Sequence, residues 1–192
     1  MAVAQQPRLA SLHDVELASL AIGGDRRAFG ELARRHGSAV RGLLRRMGAA
    51  ASEADDLAQD AFLTAFERIA EFRGEGTFAG WLKRIAARLY LRRLQREKRI
   101  AALVAESDEP MQEPTDSAGR IDLDEGLKAL SAAERLCVSL CFGAGLSHAE
   151  AAEALNLPLG TVKSHVKRGL DKLRTRLAPD EGAVARGRRG NG

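Results

Sequence analysis

Between Gly145 and His165 the chain reads Gly-Leu-Ser-His-Ala-Glu-Ala-Ala-Glu-Ala-Leu-Asn-Leu-Pro-Leu-Gly-Thr-Val-Lys-Ser-His, followed from Arg168 to Arg174 by Arg-Gly-Leu-Asp-Lys-Leu-Arg. Ser147 with Glu150 three positions later is the reciprocal pattern in which a hydroxyl and a carboxylate each satisfy a free backbone N–H at a helix start. The helix it opens should close at Leu155-Asn156, because asparagine tolerates the left-handed conformation that ends helices, and Pro158 discourages continuation. A second helix is predicted from Gly160 to Leu177. Two helices across so tight a turn, with small Ala151 and Ala152 where they must pack closely, form a helix-turn-helix. In the second helix Val162, Val166, Leu170, Leu173 and Leu177 make one apolar stripe. Thr161, Lys163, Ser164, His165, Lys167 and Arg168 are the candidate contacts to bases and phosphates of a major groove. A solvated basic helix would carry similar residues; the capped helix and turn before it favour DNA binding.

Elsewhere apolar residues also recur at helical spacing, as in Leu57, Ala61, Phe62, Ala65, Phe66 and Ile69, and nothing alternates as a strand does. The expected fold class is all-α, two small helical domains joined by a flexible acidic linker. Residues 1–20 read as an amino-terminal extension, 21–102 as the first domain, 103–122 as the linker, 123–178 as the second domain and 179–192 as a disordered tail. Further helices are predicted near Asp25 to Met47, Ser52 to Ile69, Phe78 to Arg99, Leu123 to Ala129, Ala132 to Phe142 and His148 to Leu155. Apolar residues make up 45% of the chain and charged ones 29%, enough for packed cores. No window approaches the roughly 18 apolar residues of a membrane span, and the start lacks a secretory pattern. A cytoplasmic protein without membrane insertion is therefore expected.

A net charge of +4 and a pI near 9.4 are compatible with nucleic acid. The distribution is more informative than the total. Lys83, Arg84, Arg88, Arg92, Arg93, Arg96, Lys98 and Arg99 crowd one segment, whereas acids dominate from Glu106 to Glu125. Upstream, Glu53-Ala-Asp-Asp-Leu-Ala-Gln-Asp-Ala-Phe-Leu-Thr-Ala-Phe66 places Asp56, Gln59 and Asp60 within about one helical turn, above a Phe62 and Phe66 pair suited to a core. Asp55 and Asp56 point about 100° apart on a helix, and no histidine, lysine or phosphate-cradling loop supports them as a catalytic pair. In Phe72-Arg-Gly-Glu-Gly-Thr-Phe-Ala-Gly-Trp-Leu-Lys-Arg-Ile-Ala86 a glycine loop leads into the basic helix. Gly74 and Gly76 permit close backbone approach, and Phe72, Phe78 and Trp81 offer either stacking surfaces or core. Core is the favoured reading for Trp81.

Taken in order, acidic helix, glycine loop, basic helix, linker and helix-turn-helix, these segments resemble regions 2 and 4 of the extracytoplasmic-function (ECF) sigma factors. The resemblance covers about Ala21 to Arg99 and Leu123 to Leu177. It implies a non-enzymatic alternative sigma factor that binds core bacterial RNA polymerase and directs it to promoter DNA. In the family the acidic helix docks on the polymerase, which carries over to Asp55, Asp56, Gln59 and Asp60. The loop and basic helix take the minus-10 element, which carries over to Arg73, Gly74, Glu75, Thr77, Lys83, Arg84, Arg88 and Arg92. The helix-turn-helix takes the minus-35 element. The family melts promoters with binding energy, so no cofactor is implied; an anti-sigma factor is implied as a partner, and no obligate homo-oligomer. The chain departs from the pattern where Arg88 replaces a common asparagine, Arg92 a common aspartate, and Ser131 the proline after Leu130.

Two rivals stand beside this reading. The helix-turn-helix alone also resembles that of LuxR-type regulators, which would make the chain an autonomous DNA binder. Cys137 and Cys141, one turn apart with His148 nearby, raise a metal or redox sensor; buried thiols are the favoured reading, and no metal ligand set is assigned.

Overall fold

The computed structural model describes residues 9–97, 100 and 123–177. The expected linker 103–122 and tail 179–192 lie outside the described residues. Eight α-helices are described: α1 (Asp14–Ile22), α2 (Arg26–Met47), α3 (Ala51–Glu67), α4 (Phe78–Arg96), α5 (Leu123–Lys128), α6 (Ala132–Val138), α7 (His148–Leu155) and α8 (Leu159–Leu177). A wider π turn, Ser139–Gly143, continues α6, and 3-10 turns precede α1 and follow α3. No strand occurs among the described residues.

Most helix ends have a legible local cause. Asp25 accepts hydrogen bonds from the backbone of Arg27 (2.8 Å) and Ala28 (3.3 Å), capping α2, and Gly48 ends it at φ +114°. Thr77 caps α4 through Gly80 N–H at 3.0 Å. Ser131 with Glu134 and Ser147 with Glu150 are reciprocal boxes opening α6 and α7. Asn156, at φ +54°, closes α7 in the left-handed conformation, as expected. Differences from the predicted spans are small: α3 gives way to a 3-10 turn after Glu67, and α6 turns into the π segment instead of running on to Phe142.

The structure adds α1, inside the segment read as an extension. Its Leu17 and Ala18 are fully buried, and it packs along α2. Helices α1 to α4 enclose Leu17, Leu32, Leu44, Phe78, Leu82, Tyr90 and Leu94, side chains whose burial contributes about 1.5–3 kcal/mol each. Helices α5 to α8 hold a smaller cluster, Leu127, Leu130, Val138 and Leu173. The two halves also meet directly, because Leu136, Cys137, Leu140, Leu146, Leu155 and Val162 belong to the same apolar cluster as α2 and α4.

Two glycines give opposite predictions. A Cβ at Gly169 of α8 would lie 2.8 Å from Val138 Cγ2, whereas one at Gly30 of α2 would meet nothing within 4 Å. Overpacking by a methyl costs about 1–3 kcal/mol, which exceeds the roughly 1 kcal/mol gained in helix propensity. Thermal unfolding should therefore show Gly169→Ala destabilised and Gly30→Ala stabilised.

Candidate nucleic-acid interface

Helix α3 buries Ala54, Leu57, Ala58, Ala61 and Ala65 and exposes Asp55, Asp56, Gln59 and Asp60 on the opposite side. Arg41 Nε of α2 stands 3.6 Å from Asp55 Oδ1, a solvent-exposed pair of small worth. Glu53, by contrast, is buried. Its carboxylate accepts from Ala50 N–H (3.3 Å) and lies 3.1 Å from Arg93 Nε, tying α3 to α4. Phe62 is half-buried; Phe66 is 37% exposed and sets its ring edge against Phe29, with centroids 5.0 Å apart, so it covers the core margin more than it fills the core.

Arg73, Gly74, Glu75 and Thr77 are all exposed on one loop, whose backbone turns at Gly74 (φ +76°) and Gly76 (φ +82°). Phe72 and Phe78, at its two ends, are buried and meet edge to face at 5.5 Å; Trp81 lies 5.7 Å from each and is half-buried. These rings form the floor of the loop, in keeping with the core reading of Trp81.

On α4, Arg84, Arg88 and Arg92 are exposed and Lys83 is half-buried. Arg84 Nη2 donates to the carbonyl of Gly145 (2.8 Å), and Gln95 donates to that of Ala154 (2.9 Å). Glu150 of α7 is held below the usual carboxylate range, chiefly by its hydrogen bonds to Ser147 and further by the positive charges of Arg84 and Arg88. The first helix of the helix-turn-helix thus lies against the basic side of α4. Arg92, one turn beyond Arg88 along the same side, lines a groove with Leu57, Asp60, Leu89, Arg93 and Arg96.

On α8, Lys163, Ser164, Lys167 and Arg168 are exposed and Thr161 is half-buried. The Ser164 hydroxyl donates back to the carbonyl of Gly160 at 2.8 Å. His165 corrects the sequence reading: it is only 5% exposed, on the inward stripe with Val162, Val166, Gly169 and Leu173, and it cannot reach a base edge from there. Its Nδ1 pairs with Arg168 at 3.1 Å. The spacing 162, 165, 169, 173 was the available signal; a polar residue within it outweighed the period.

Sequence reasoning also missed Glu134 as more than a cap. Wholly buried on α6, it accepts from Ser131 N–H (3.1 Å) and Lys172 Nζ (2.9 Å), with Arg168 Nε at 3.7 Å. A buried carboxylate thus gathers two cations of α8 from a distance in sequence that no local pattern encodes.

Cys137 is 1% exposed, and burial pushes its thiol up to about 12; burial also raises Cys141, which is half-buried. Zinc takes thiolates, and among the described residues no group of three or more His, Cys, Asp or Glu side chains is placed to hold a metal ion. A thiol reagent at pH 8 should modify at most Cys141 in the native protein and reach Cys137 only on denaturation; prompt modification of both would refute this burial.

Comparison with known families and proteins agrees with this geometry. The Sigma-70 region 2 family matches residues 32–100, a segment that begins after α1, and Sigma-70, region 4 matches residues 126–175. The ECF RNA polymerase sigma factor SigE of Mycolicibacterium smegmatis is 35% identical over 164 residues, covering 81% of this chain and 63% of that longer protein. The ECF RNA polymerase sigma factor SigM of Mycobacterium tuberculosis is 34% identical over 161 residues, covering 83% of this chain and 82% of that one. Among solved structures, CnrH in complex with the cytosolic domain of CnrY is similar at 30% identity and a TM-score of 0.51, over 87% of this chain and 98% of that one.

Proposed function

This chain belongs to the extracytoplasmic-function family of sigma-70-type sigma factors, and on that premise we propose how its surfaces divide the work of promoter recognition. Sigma factors are initiation factors, not enzymes, and the chemistry asked of this surface is binding alone. The exposed acids of α3, Asp55, Asp56 and Asp60 with Gln59, dock on core RNA polymerase. The loop Arg73–Thr77 takes an unstacked base of the minus-10 element, where two glycines let a base approach the backbone, while Lys83, Arg84, Arg88 and Arg92 attract phosphates. Thr161, Lys163, Ser164, Lys167 and Arg168 of α8 meet the minus-35 element, with His165 acting behind them by orienting Arg168.

The observation that carries this reading is the segregation of charge on one fold: an acid face on α3, and cationic faces on α4 and α8. Separate surfaces of opposite sign suit a subunit that must hold an enzyme and a polyanion together. The packing of α7 on α4 favours this over an autonomous regulator, because it occupies Arg84 with a protein carbonyl in the free chain. The free protein is then a poor DNA binder, and polymerase, by separating the two halves, releases the α4 face that α7 covers. CnrH was crystallised with the cytosolic domain of CnrY, and by analogy an inhibitory protein partner of the anti-sigma class holds the present chain inactive.

Run-off transcription with core bacterial RNA polymerase on a promoter library tests the proposal. Defined transcripts should appear only when the protein is added, and Asp56→Arg with Asp60→Arg should abolish them together with co-purification of the polymerase. Removing one phosphate-contacting lysine, Lys163→Ala or Lys167→Ala, should weaken promoter binding by holoenzyme and flatten its salt dependence by about one unit of log–log slope. Tight, sequence-specific binding by the isolated protein, without transcripts, would instead support the autonomous regulator.

A further inference from the structure

The loop Arg73–Thr77 has two glycines at positive φ and no buried residue of its own, so nothing within it fixes its shape. What fixes it lies behind it. The ring of His36, on α2, approaches Phe78 at the loop's carboxy-terminal end (centroids 5.6 Å), and Phe78 meets Phe72 at the other. His36 Nε2 is held 2.7 Å from Asp14 Oδ2, at the first turn of α1. The other oxygen of Asp14 accepts from Arg35 Nη1 at 3.0 Å. Arg35 in turn donates to Glu31 (2.9 Å) and to the backbone carbonyls of Leu9 (3.1 Å), Ala10 (2.9 Å) and Leu12 (2.8 Å). Hydrogen bonds from Arg34 and Arg35, helped by their charges, hold Glu31 down at about 2. Finally, Val15, next to Asp14, has its Cγ1 4.0 Å from where a Cβ on Gly74 would stand.

We propose that Asp14 and His36 are a positioning pair for the minus-10 loop: α1, lying ahead of the matched region 2 segment, sets the aromatic floor on which the loop stands and so belongs to the base-reading apparatus. The inference rests on the loop's role given above. One carboxylate joins the two supports, since it orients the histidine that braces Phe78 and seats the helix whose Val15 flanks Gly74. A site must be held to fractions of an ångström to discriminate, and a loop without internal packing inherits that precision from its supporting shell. An extension that served only stability would not need to meet both the floor and the tip of the loop.

The test uses holoenzyme assembled from full-length chain and core polymerase. Its probe is a fluorescein-labelled single-stranded oligonucleotide of the minus-10 sequence recovered by run-off, compared with a scrambled one by anisotropy. Wild type should prefer the former. His36→Ala and Asp14→Ala should lower that preference about tenfold, the scale of one lost positioning interaction, with affinity for core polymerase and for minus-35 duplex unchanged. Asp14→Asn, whose amide can still serve both Arg35 and His36, should recover most of the preference; a purely structural role would shift melting temperature without moving the ratio. Folded Asp14→Ala or His36→Ala holoenzyme with the wild-type ratio would overturn the proposal. Wild-type holoenzyme without any preference would overturn the loop's role itself, and the proposal with it.

Discussion

Leu136, Cys137 and Leu140 of the second half are buried in the same apolar cluster as Leu43, Leu44 and Met47 of α2, and the surface is arranged around that seam. Gly143 marks how closely it closes, since a Cβ there would come within 2.6 Å of Leu43 Cδ1. The π turn after Val138 is what brings Gly143 and Ala144 down onto α2. From this contact the rest follows geometrically: α7 comes to lie on α4, Arg84 and Gln95 find backbone acceptors, and Arg46 comes within 3.3 Å of Asp124. Those polar contacts are partly exposed and individually weak, so the apolar seam supplies the affinity and they supply the register. A seam of this kind between halves of one chain is the sort that a large partner can open.

Within each half, a buried carboxylate does for the cationic helix what the seam does for the whole. Glu53 faces Arg93 of α4, and Glu134 faces Lys172 and Arg168 of α8. Both sit at the third position of a helix, where their own cap hydrogen bonds and the positive end of the helix dipole help offset desolvation. Replacing such a carboxylate removes a partner while leaving cations clustered, which costs more than the pair itself contributes. Each basic helix is thus anchored to its neighbour by a buried acid, while Arg88 of α4 and Lys163 and Lys167 of α8 stay exposed.

The parts legible in the sequence are those with local causes. Ser147 and Glu150, and Asn156, announce helix ends through local bonds, and α7 runs from His148 to Leu155 as read. Gly74 and Gly76 of the loop before α4 likewise stand where positive φ occurs. Helix α1 was not legible, because Val15, Leu17, Leu20, Ala21 and Ile22 are spread around its circumference; Val15, Leu20 and Ile22 are exposed while Leu17 is buried. His165 was misread for the opposite reason, a polar residue at a position the period assigns to the core. The clasp of Arg35 on Leu9, Ala10 and Leu12 spans more than twenty residues, and the pairing of Glu134 with Lys172 nearly forty. Contacts of that span leave no periodicity and no cap; they are visible only once the helices are packed.

The two arginines that depart from the family pattern, Arg88 and Arg92, stand one turn apart on the same side of α4, as positions i and i+4 of a helix do. Arg88 is on the side where α7 brings Glu150, and its charge acts on that carboxylate together with Arg84. Arg92 lines the groove with Leu57, Asp60 and Arg96, beside the acid face of α3. One turn of helix therefore separates a cation beside the helix-turn-helix from one that borders the acids of α3. The first adds positive potential to the face that α7 covers and, with Arg84, helps hold Glu150 below the usual carboxylate range. The second shares its groove with Asp60, at the edge of the acidic patch. One cationic side of α4 thus runs from the contact with α7 to the edge of the α3 acids, and each charge on it meets a different neighbour.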